Sequence, residues 1–174
     1  MGELPSYSVL LVKGETLEGS PLADKIIALD RKNMEATLKA VGREFPEDRR
    51  RITLFHSSNR MIVATRGQEV VGYADYCDDL TDPQGLYLSS IQIEAAHRCG
   101  PLFKLLLSTL LIDLKSRKFT TIRTHIQKSN PRMIAIAKKL GFVVEENPDS
   151  PSTLTVFAER DILSPQLNRL FGSL

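Results

Sequence analysis

Residues 97–102, with the sequence HRCGPL, place ionisable side chains and a glycine directly before the most apolar stretch of the chain. The first amide groups of a helix lack partners within the helix, and the helix dipole puts partial positive charge at that end. Gly100 permits close backbone approach, while His97 and Arg98 add hydrogen-bond donors. The segment therefore predicts a site for a phosphate or pyrophosphate. An ordinary strand-to-helix turn is the alternative.

The strand that precedes this segment changes its apolar face. Leu86 and Leu88 share one parity, whereas Ile91 and Ile93 share the other. A half-buried strand cannot switch faces without an interruption, and one extra residue at Ser89-Ser90 restores a single apolar face. The pattern therefore predicts a β-bulge, a feature that is frequent beside active sites. Two short strands with a kink are the alternative.

Hydrophobic periodicity and turn residues predict the element order β-α-α-β-β-β-α-β-α-β-β. Ser20 is predicted to cap the first helix and Asn33 the second. A hairpin is predicted around residues 66–68. The segment SNPRMIAIAKKLGF is predicted to form a helix that is capped by Asn130 or Ser129 and ended by Gly141. Hairpins followed by a β-α-β crossover indicate an α/β fold with a mixed sheet.

Composition narrows the class of protein. The 174 residues fit one domain, and 42% apolar with 25% charged residues is typical of a soluble globular protein. The net charge of +2 is too small to indicate a nucleic-acid partner, and Arg49–Arg51 is predicted to be a solvated face. Residues 102–114 are too short for a membrane span. No metal-ligand spacing is found, and two cysteines without a signal peptide predict a reducing, cytoplasmic location.

The bulged strand, the turn, the apolar helix and the next strand together resemble the GNAT superfamily of acyl-coenzyme A-dependent N-acyltransferases. In that family the turn reads Arg/Gln-x-x-Gly-x-Gly/Ala, and HRCGPL departs from this pattern. In one alignment, His97 stands at the basic position of the pattern, Gly100 at the first glycine and Leu102 at the last position. A shift by one residue puts Arg98 at the basic position, but then Pro101 and Phe103 stand at the two glycine positions. Pro101 has no amide hydrogen, so pyrophosphate binding is expected to use fewer amides.

The segment NPRMIAIAKKLGF matches the family's Asn-to-Gly-Phe spacing more closely, with Asn130, Gly141 and Phe142 in place. The resemblance implies a mixed, mostly antiparallel, twisted sheet, with a bulged central strand that splays from the next strand and with flanking helices. It implies one acyltransferase-like domain over residues 1–174. Its parts are a strand and acceptor-side helices (1–60), a cofactor-binding core (61–160) and a C-terminal tail (161–174).

The resemblance also implies acetyl-coenzyme A as co-substrate and no metal. The strand end would pair with the pantetheine arm, the turn would hold the pyrophosphate, and the helix-capping asparagine would lie near the pantetheine. The cofactor-binding residues so implied are Ile91, Gln92, Ile93, His97, Arg98, Cys99, Gly100, Leu102 and Asn130.

Acyl transfer to an amine needs a proton acceptor and a donor to the thioester oxygen. Glu94 is the simplest base, Tyr87 stands where many relatives carry a glutamate, and His125 has a suitable ordinary pKa. Each is also explained as an ordinary strand residue. Where relatives usually have a tyrosine that protonates the departing thiolate, this chain has Ala137, which predicts a slow transferase.

The turn after the hairpin strand is acidic, with Asp75, Asp78, Asp79 and Asp82 in or beside it. In relatives this loop often borders the acceptor, so a small-molecule or peptide amine, including a cationic one, is the expected partner. No nucleic-acid or membrane partner is expected, and a homodimer is left open. A catalytically silent acyl-coenzyme A-binding regulatory module, or a protein-interaction domain that keeps only the fold, is the alternative function.

Overall fold

The computed structural model describes residues 6–40, 42–98, 101–162 and 165. The elements follow the predicted order. The strands are β1 (Ser8–Lys13), β2 (Arg60–Arg66), β3 (Glu69–Asp78), β4 (Gly85–Ile93), β5 (Thr121–Gln127), β6 (Val143–Glu146) and β7 (Thr153–Glu159). The helices are α1 (Pro21–Ala40), α2 (Glu47–Leu54), α3 (Leu102–Lys115) and α4 (Pro131–Lys139). The predicted C-terminal tail segment lies largely outside the described residues.

The strands form a seven-stranded sheet in the order β1-β2-β3-β4-β5-β7-β6. Strand β2 pairs antiparallel with β1 and β3, and β7 pairs antiparallel with β5 and β6, whereas β4 and β5 run parallel. The prediction of a mixed, mostly antiparallel sheet is confirmed. The hairpin around residues 66–68 is also confirmed, and its turn uses Gly67 at a φ of +60°.

The parallel pairing of β4 with β5 covers three residue pairs, from Gly85 with Thr121 to Tyr87 with Arg123. Both strands continue beyond these pairs. Leu86 and Ile93 are both buried although they have opposite parity, as the predicted bulge requires. The position of the bulge and the splay of the two strands stay predictions.

The chain divides into two compact units, one formed by Met1–Tyr76 with Ser90–Leu114 and the other by Cys77–Ser89 with Lys115–Leu174. The single domain over residues 1–174 and its three-part division therefore stay proposals. Within the described ranges, no helix is long and apolar enough to cross a membrane.

In the first unit, helix α3 buries one leucine-rich face. Gly72 in β3 makes room for it: a Cβ there would lie 3.2 Å from Leu106 Cδ1 and 3.0 Å from the carbonyl oxygen of Gln92. The buried residues of this face are Leu102, Leu106, Leu107, Leu110, Leu111 and Leu114.

The prediction that Asn33 caps a second helix is wrong. Helix α1 runs unbroken over 20 residues, because neither glycine nor proline occurs between Pro21 and Gly42. The second helix is α2, which follows Pro46. Asn33 therefore lies in the body of α1, where its side chain makes tertiary contacts.

The prediction that Arg49–Arg51 forms a solvated face is wrong for Arg50, whose side chain is 14% exposed. Its guanidinium donates to Asp30 Oδ2 at 2.7 Å, to Asp75 Oδ2 at 3.0 Å and to the Tyr73 hydroxyl at 3.0 Å. Buried carboxylates need such partners, since an unpaired buried charge is strongly destabilising. Arg50 thus belongs to the interior of the first unit.

In the second unit, the residues predicted to start and end α4 are confirmed. Asn130 Oδ1 accepts a hydrogen bond from the Met133 amide at 3.2 Å, Pro131 opens the helix, and Gly141 follows it at a φ of +86°. The helix packs its apolar face on β5 and β7 through a cluster of buried residues. These residues are Ile126, Ala137 and Val156.

Candidate active site

The turn between β4 and α3 directs its two basic side chains back onto the first unit. His97 Nδ1 shares a hydrogen bond of 3.0 Å with the Tyr7 hydroxyl, and His97 Nε2 lies 3.8 Å from Glu94 Oε2. Arg98 Nε donates to the carbonyl oxygen of Ile93 at 3.1 Å, and Arg98 Nη2 donates to Asn33 Oδ1 at 3.0 Å. Both side chains therefore already hold partners within the protein.

The remaining residues of the turn are placed as follows. Leu102 is the first residue of α3, and its side chain is fully buried, so only its backbone is suited to a ligand. The amides of the first helical turn lack partners inside the helix by geometry. The predicted ligands Cys99 and Gly100 lie outside the described residues.

The end of β4 is fastened to α1 by Asn33. Its Nδ2 donates to Gln92 Oε1 at 3.0 Å and to the carbonyl oxygen of Ile93 at 3.2 Å, while Gln92 Nε2 donates to Ser90 Oγ at 3.0 Å. The Ile93 carbonyl thus accepts two side-chain bonds, and Ile91 and Gln92 are the better candidates for backbone pairing with a ligand. The helical pattern alone gave no signal for this role of Asn33.

Glu94, the simplest base by sequence, is tied to a lysine. Lys32 Nζ lies 2.6 Å from Glu94 Oε1. The hydrogen bond from Lys32, together with its charge, lowers the pKa of Glu94 below the usual 4.5. A carboxylate stabilised in this way is a weaker proton acceptor.

The structure brings the other two candidate bases together in the second unit. The Tyr87 hydroxyl on β4 and His125 Nδ1 on β5 share a hydrogen bond of 3.0 Å, and the ring centroids are 5.6 Å apart. Burial, and after it the charge of Arg123, lowers the pKa of His125 below the usual 6.5. His125 is therefore neutral at neutral pH and able to accept a proton.

The acidic turn carries less free charge than its sequence suggests. Asp79 is buried and receives two bonds of 2.8 Å from Arg123. Asp82 accepts from Thr121 Oγ1 at 2.5 Å, and Asp75 is paired with Arg50 as described above. Asp78 is exposed.

The sequence model described as "Acetyltransferase (GNAT) family" matches residues 26–142, about two thirds of the chain. The chain belongs to the GNAT acetyltransferase family. It is an acetyltransferase of a family that uses acetyl-coenzyme A. No curated protein matches it in sequence.

Solved structures share the GNAT fold of this enzyme. A PaiA N-acetyltransferase from Thermoplasma acidophilum, in complex with coenzyme A, has a TM-score of 0.67 at 14% identity, over 88% of this chain and 99% of that one. An acetyltransferase from Thermus thermophilus has a TM-score of 0.65 at 19% identity, over 88% and 97%. A ribosomal-protein-alanine N-acetyltransferase from Brucella melitensis has a TM-score of 0.61 at 20% identity, over 88% and 98%.

Two positions on or before α4 bear on the predicted cofactor contacts. Asn130 caps the helix, and its contact with the cofactor stays a prediction. Ala137, where the family resemblance predicts a tyrosine, is buried in the cluster with Ile126 and Val156. A tyrosine at this position would have to displace packed side chains. Among the described residues, no group of three histidine, cysteine or acidic side chains is arranged to hold a metal ion.

Proposed function

We propose that this GNAT enzyme transfers an acetyl group from acetyl-coenzyme A to an amine acceptor, with Tyr87 and His125 as the proton acceptor. The observation that carries the proposal is the 3.0 Å hydrogen bond between the Tyr87 hydroxyl and His125 Nδ1. As the amine nitrogen bonds to the acetyl carbon, its proton passes to the Tyr87 oxygen while the phenolic proton moves to His125 Nδ1. This transfer matches the neutral form of His125.

Tyr87 and His125 are better suited than Glu94 to this role. The Lys32 ammonium holds Glu94 in its charged form and lowers its pKa. Burial, and after it the charge of Arg123, lowers the pKa of His125 as well, so its imidazole is neutral and its Nδ1 shares a hydrogen bond with the Tyr87 hydroxyl, whereas Glu94 is occupied by Lys32. Glu94, the residue that follows β4, is instead paired with Lys32 of α1, which supports the strand end.

The strand end and the start of α3 fit the expected co-substrate. Acetyl-coenzyme A supplies the acetyl group as a thioester and departs as a thiolate. The backbone of Ile91 and Gln92 is proposed to pair with the pantetheine, and the first amides of α3 to bind the pyrophosphate. The side chains of His97 and Arg98 then position the turn through Tyr7 and Asn33, in addition to any contact with phosphate.

The missing tyrosine at Ala137 is compatible with turnover. A thiol has a pKa of about 8.5, so the thiolate is an acceptable leaving group near neutral pH. General acid assistance contributes roughly 10²- to 10⁴-fold where it operates. We therefore expect a slow transferase whose leaving thiolate takes its proton from water.

The test is release of free thiol from acetyl-coenzyme A in the presence of a panel of amines. Wild-type enzyme should release thiol with at least one amine. Tyr87→Phe and His125→Gln should each lower kcat/KM about 10²-fold or more, while the thermal shift caused by coenzyme A stays unchanged. His56→Gln is the matched control, because His56 is an exposed histidine whose side chain bonds only to Ser58 among its described contacts.

Two results would contradict the proposal. One is full activity in both Tyr87→Phe and His125→Gln. The other is wild-type protein that binds coenzyme A yet releases no thiol with any amine up to pH 9, as the silent module requires.

A further inference from the structure

The acidic turn of the second unit holds an arginine in one fixed orientation. Asp79 Oδ1 accepts hydrogen bonds from the Thr81 amide at 2.8 Å and the Thr81 hydroxyl at 2.9 Å. Its two oxygens also accept from Arg123 Nη2 and Nε, both at 2.8 Å. The Asp79 side chain is only 3% exposed. A bidentate pairing of this kind fixes the plane of the guanidinium as well as its position.

The fixed guanidinium lies over the ring of Tyr87. The Arg123 Cζ atom is 5.8 Å from the ring centroid, within the range of a cation–π contact. Tyr87 and Arg123 are direct partners in the β4/β5 pairing. Contacts thus run without a gap from Asp79 to Arg123, from Arg123 to Tyr87, and from the Tyr87 hydroxyl to His125.

Three charged groups act on His125. Arg123 opposes protonation of the imidazole, whereas Asp79 and Asp149 favour it; burial also opposes it and is the largest influence on the pKa of His125. Tyr87 is the titratable group in direct contact. Arg123 is thus the one positive charge in this set, and it stands two residues from His125 along β5.

We infer that Arg123, fixed by Asp79, is a positioning residue for the proton acceptor: it holds the Tyr87 ring in place and keeps a positive charge beside His125. The inference rests on the proposed function, since it assigns a role in the same proton transfer. It also gives the acidic turn a purpose other than recruiting a cationic acceptor. Two of its aspartates, Asp79 and Asp82, secure β5 through Arg123 and Thr121.

The test combines NMR titration of His125 with the pH profile of kcat/KM. Arg123→Gln leaves Asp79 and Asp149 unopposed, so the pKa of His125 should rise and the acidic limb of the profile should move to higher pH. At pH 7, kcat should fall roughly 10- to 100-fold because Tyr87 and His125 are less well oriented. The KM for acetyl-coenzyme A should stay within about two-fold, since a uniform binding loss is not expected.

Further variants separate orientation from charge. Arg123→Lys keeps the charge but loses the bidentate pairing with Asp79. The value of kcat should therefore fall while the pKa of His125 stays close to that of the wild type. Asp79→Asn removes a negative charge and should move the pKa of His125 downward, opposite to Arg123→Gln. Arg160→Gln is the matched control: Arg160 stacks on Phe119 at 5.3 Å in the same unit and should alter neither readout.

An unchanged pKa of His125 together with an unchanged pH profile in folded Arg123→Gln would overturn the inference. If Arg123→Gln fails to fold, Asp79→Asn tests the inference in its place. An unchanged pKa of His125 in Asp79→Asn would then overturn the inference. The titration needs no turnover. A shifted pKa in protein that acetylates no amine would therefore reject the proposed function while retaining the electrostatic link between Arg123 and His125.

Discussion

Two arginines of this enzyme are placed alike yet have different surroundings. Arg50 in the first unit and Arg123 in the second each bond an aspartate and each lie over a tyrosine ring, at 5.6 and 5.8 Å from the centroid. Arg50 bridges two carboxylates, those of Asp30 and Asp75, and its own side chain is half as exposed as that of Arg123. Arg123 has one carboxylate partner among its described bonds.

The difference is visible in the protonation of the aspartates. Burial of Asp75 outweighs its bond to Arg50 and raises the pKa of Asp75 to about 6. Burial acts the same way on Asp79, but the bonds from Thr81 and Arg123 outweigh it and lower the pKa of Asp79 below 3.8. The tyrosines differ as well, because the Tyr73 hydroxyl donates to Asp30 whereas the Tyr87 hydroxyl contacts His125. The Arg50 cluster is thus a buried structural network, in which Asp75 Oδ1 has no hydrogen-bond partner among the described residues, and the Arg123 cluster reaches a group able to accept a proton.

The largest expected effect is on stability, in the variant Arg50→Met. It leaves Asp30 and Asp75 buried without their cation, and the free energy of unfolding should fall by about 3–5 kcal/mol. Urea unfolding followed by circular dichroism measures the loss. Arg49→Met, at the exposed neighbouring position, is the control and should leave the urea midpoint nearly unchanged. A loss below about 1 kcal/mol in Arg50→Met would contradict a stabilising role for the Arg50 cluster.

Local signals in the sequence predicted much of the fold. The capping asparagine and the glycine at the end of α4, the hairpin turn and the element order all depend on residues close in sequence, and the structure has them as expected. The roles of Asn33 and Arg50 depend on partners distant in sequence. Helical periodicity therefore assigned Asn33 to a cap, and the run of three basic residues assigned Arg50 to the surface. Asp75 did carry a signal, because a lone carboxylate in the apolar strand β3 requires a buried partner.

The sequence suggested candidate residues for the site, but it did not show which of their side chains contact one another. Tyr87, Glu94 and His125 were named separately, because β-strand patterns do not say which strand pairs with which. The parallel pairing of β4 with β5 joins Tyr87 to His125, and α1 joins Lys32 to Glu94. The proposal of Tyr87 and His125 in place of Glu94, the simplest base by sequence, therefore depends on a contact that is set by strand order.

The second prediction uses the opposite pKa shifts of Asp75 and Asp79. The folded state binds a proton at Asp75 more tightly than the unfolded state does, since the pKa rises from 3.8 to about 6. Stability contributed by this group is therefore complete below about pH 4 and is lost as the pH rises through 6, by at most about 1.4 kcal/mol per pH unit. Asp79 has the reverse sign, and its contribution is lost as the pH falls below 3.8.

Urea unfolding between pH 4 and 7 tests the two signs. Relative to wild type, Asp75→Asn should remove the decline between pH 4 and 6, whereas Asp79→Asn should retain it. For Asp75→Asn, the difference from wild type cancels the contributions of Glu94 and His125, whose pKa values are lowered and which act in the opposite sense. An identical slope in wild type and Asp75→Asn would show that the two arginine clusters do not differ in protonation.

The smallest expected effect is that of Asp78→Asn on the acceptor. Asp78 is exposed at the end of β3, while Asp79 and Asp82 are bonded to Arg123 and Thr121. A single exposed charge is screened at physiological salt, so the acceptor KM should rise by no more than about two-fold. Asp79→Asn should act instead on kcat and its pH profile, because its partner is Arg123. Steady-state kinetics at two salt concentrations separates these outcomes.

A tenfold rise in acceptor KM for Asp78→Asn that grows at low salt would make the turn an acceptor site. The Arg123 cluster would then differ from the Arg50 cluster by binding substrate charge as well as by orienting the base.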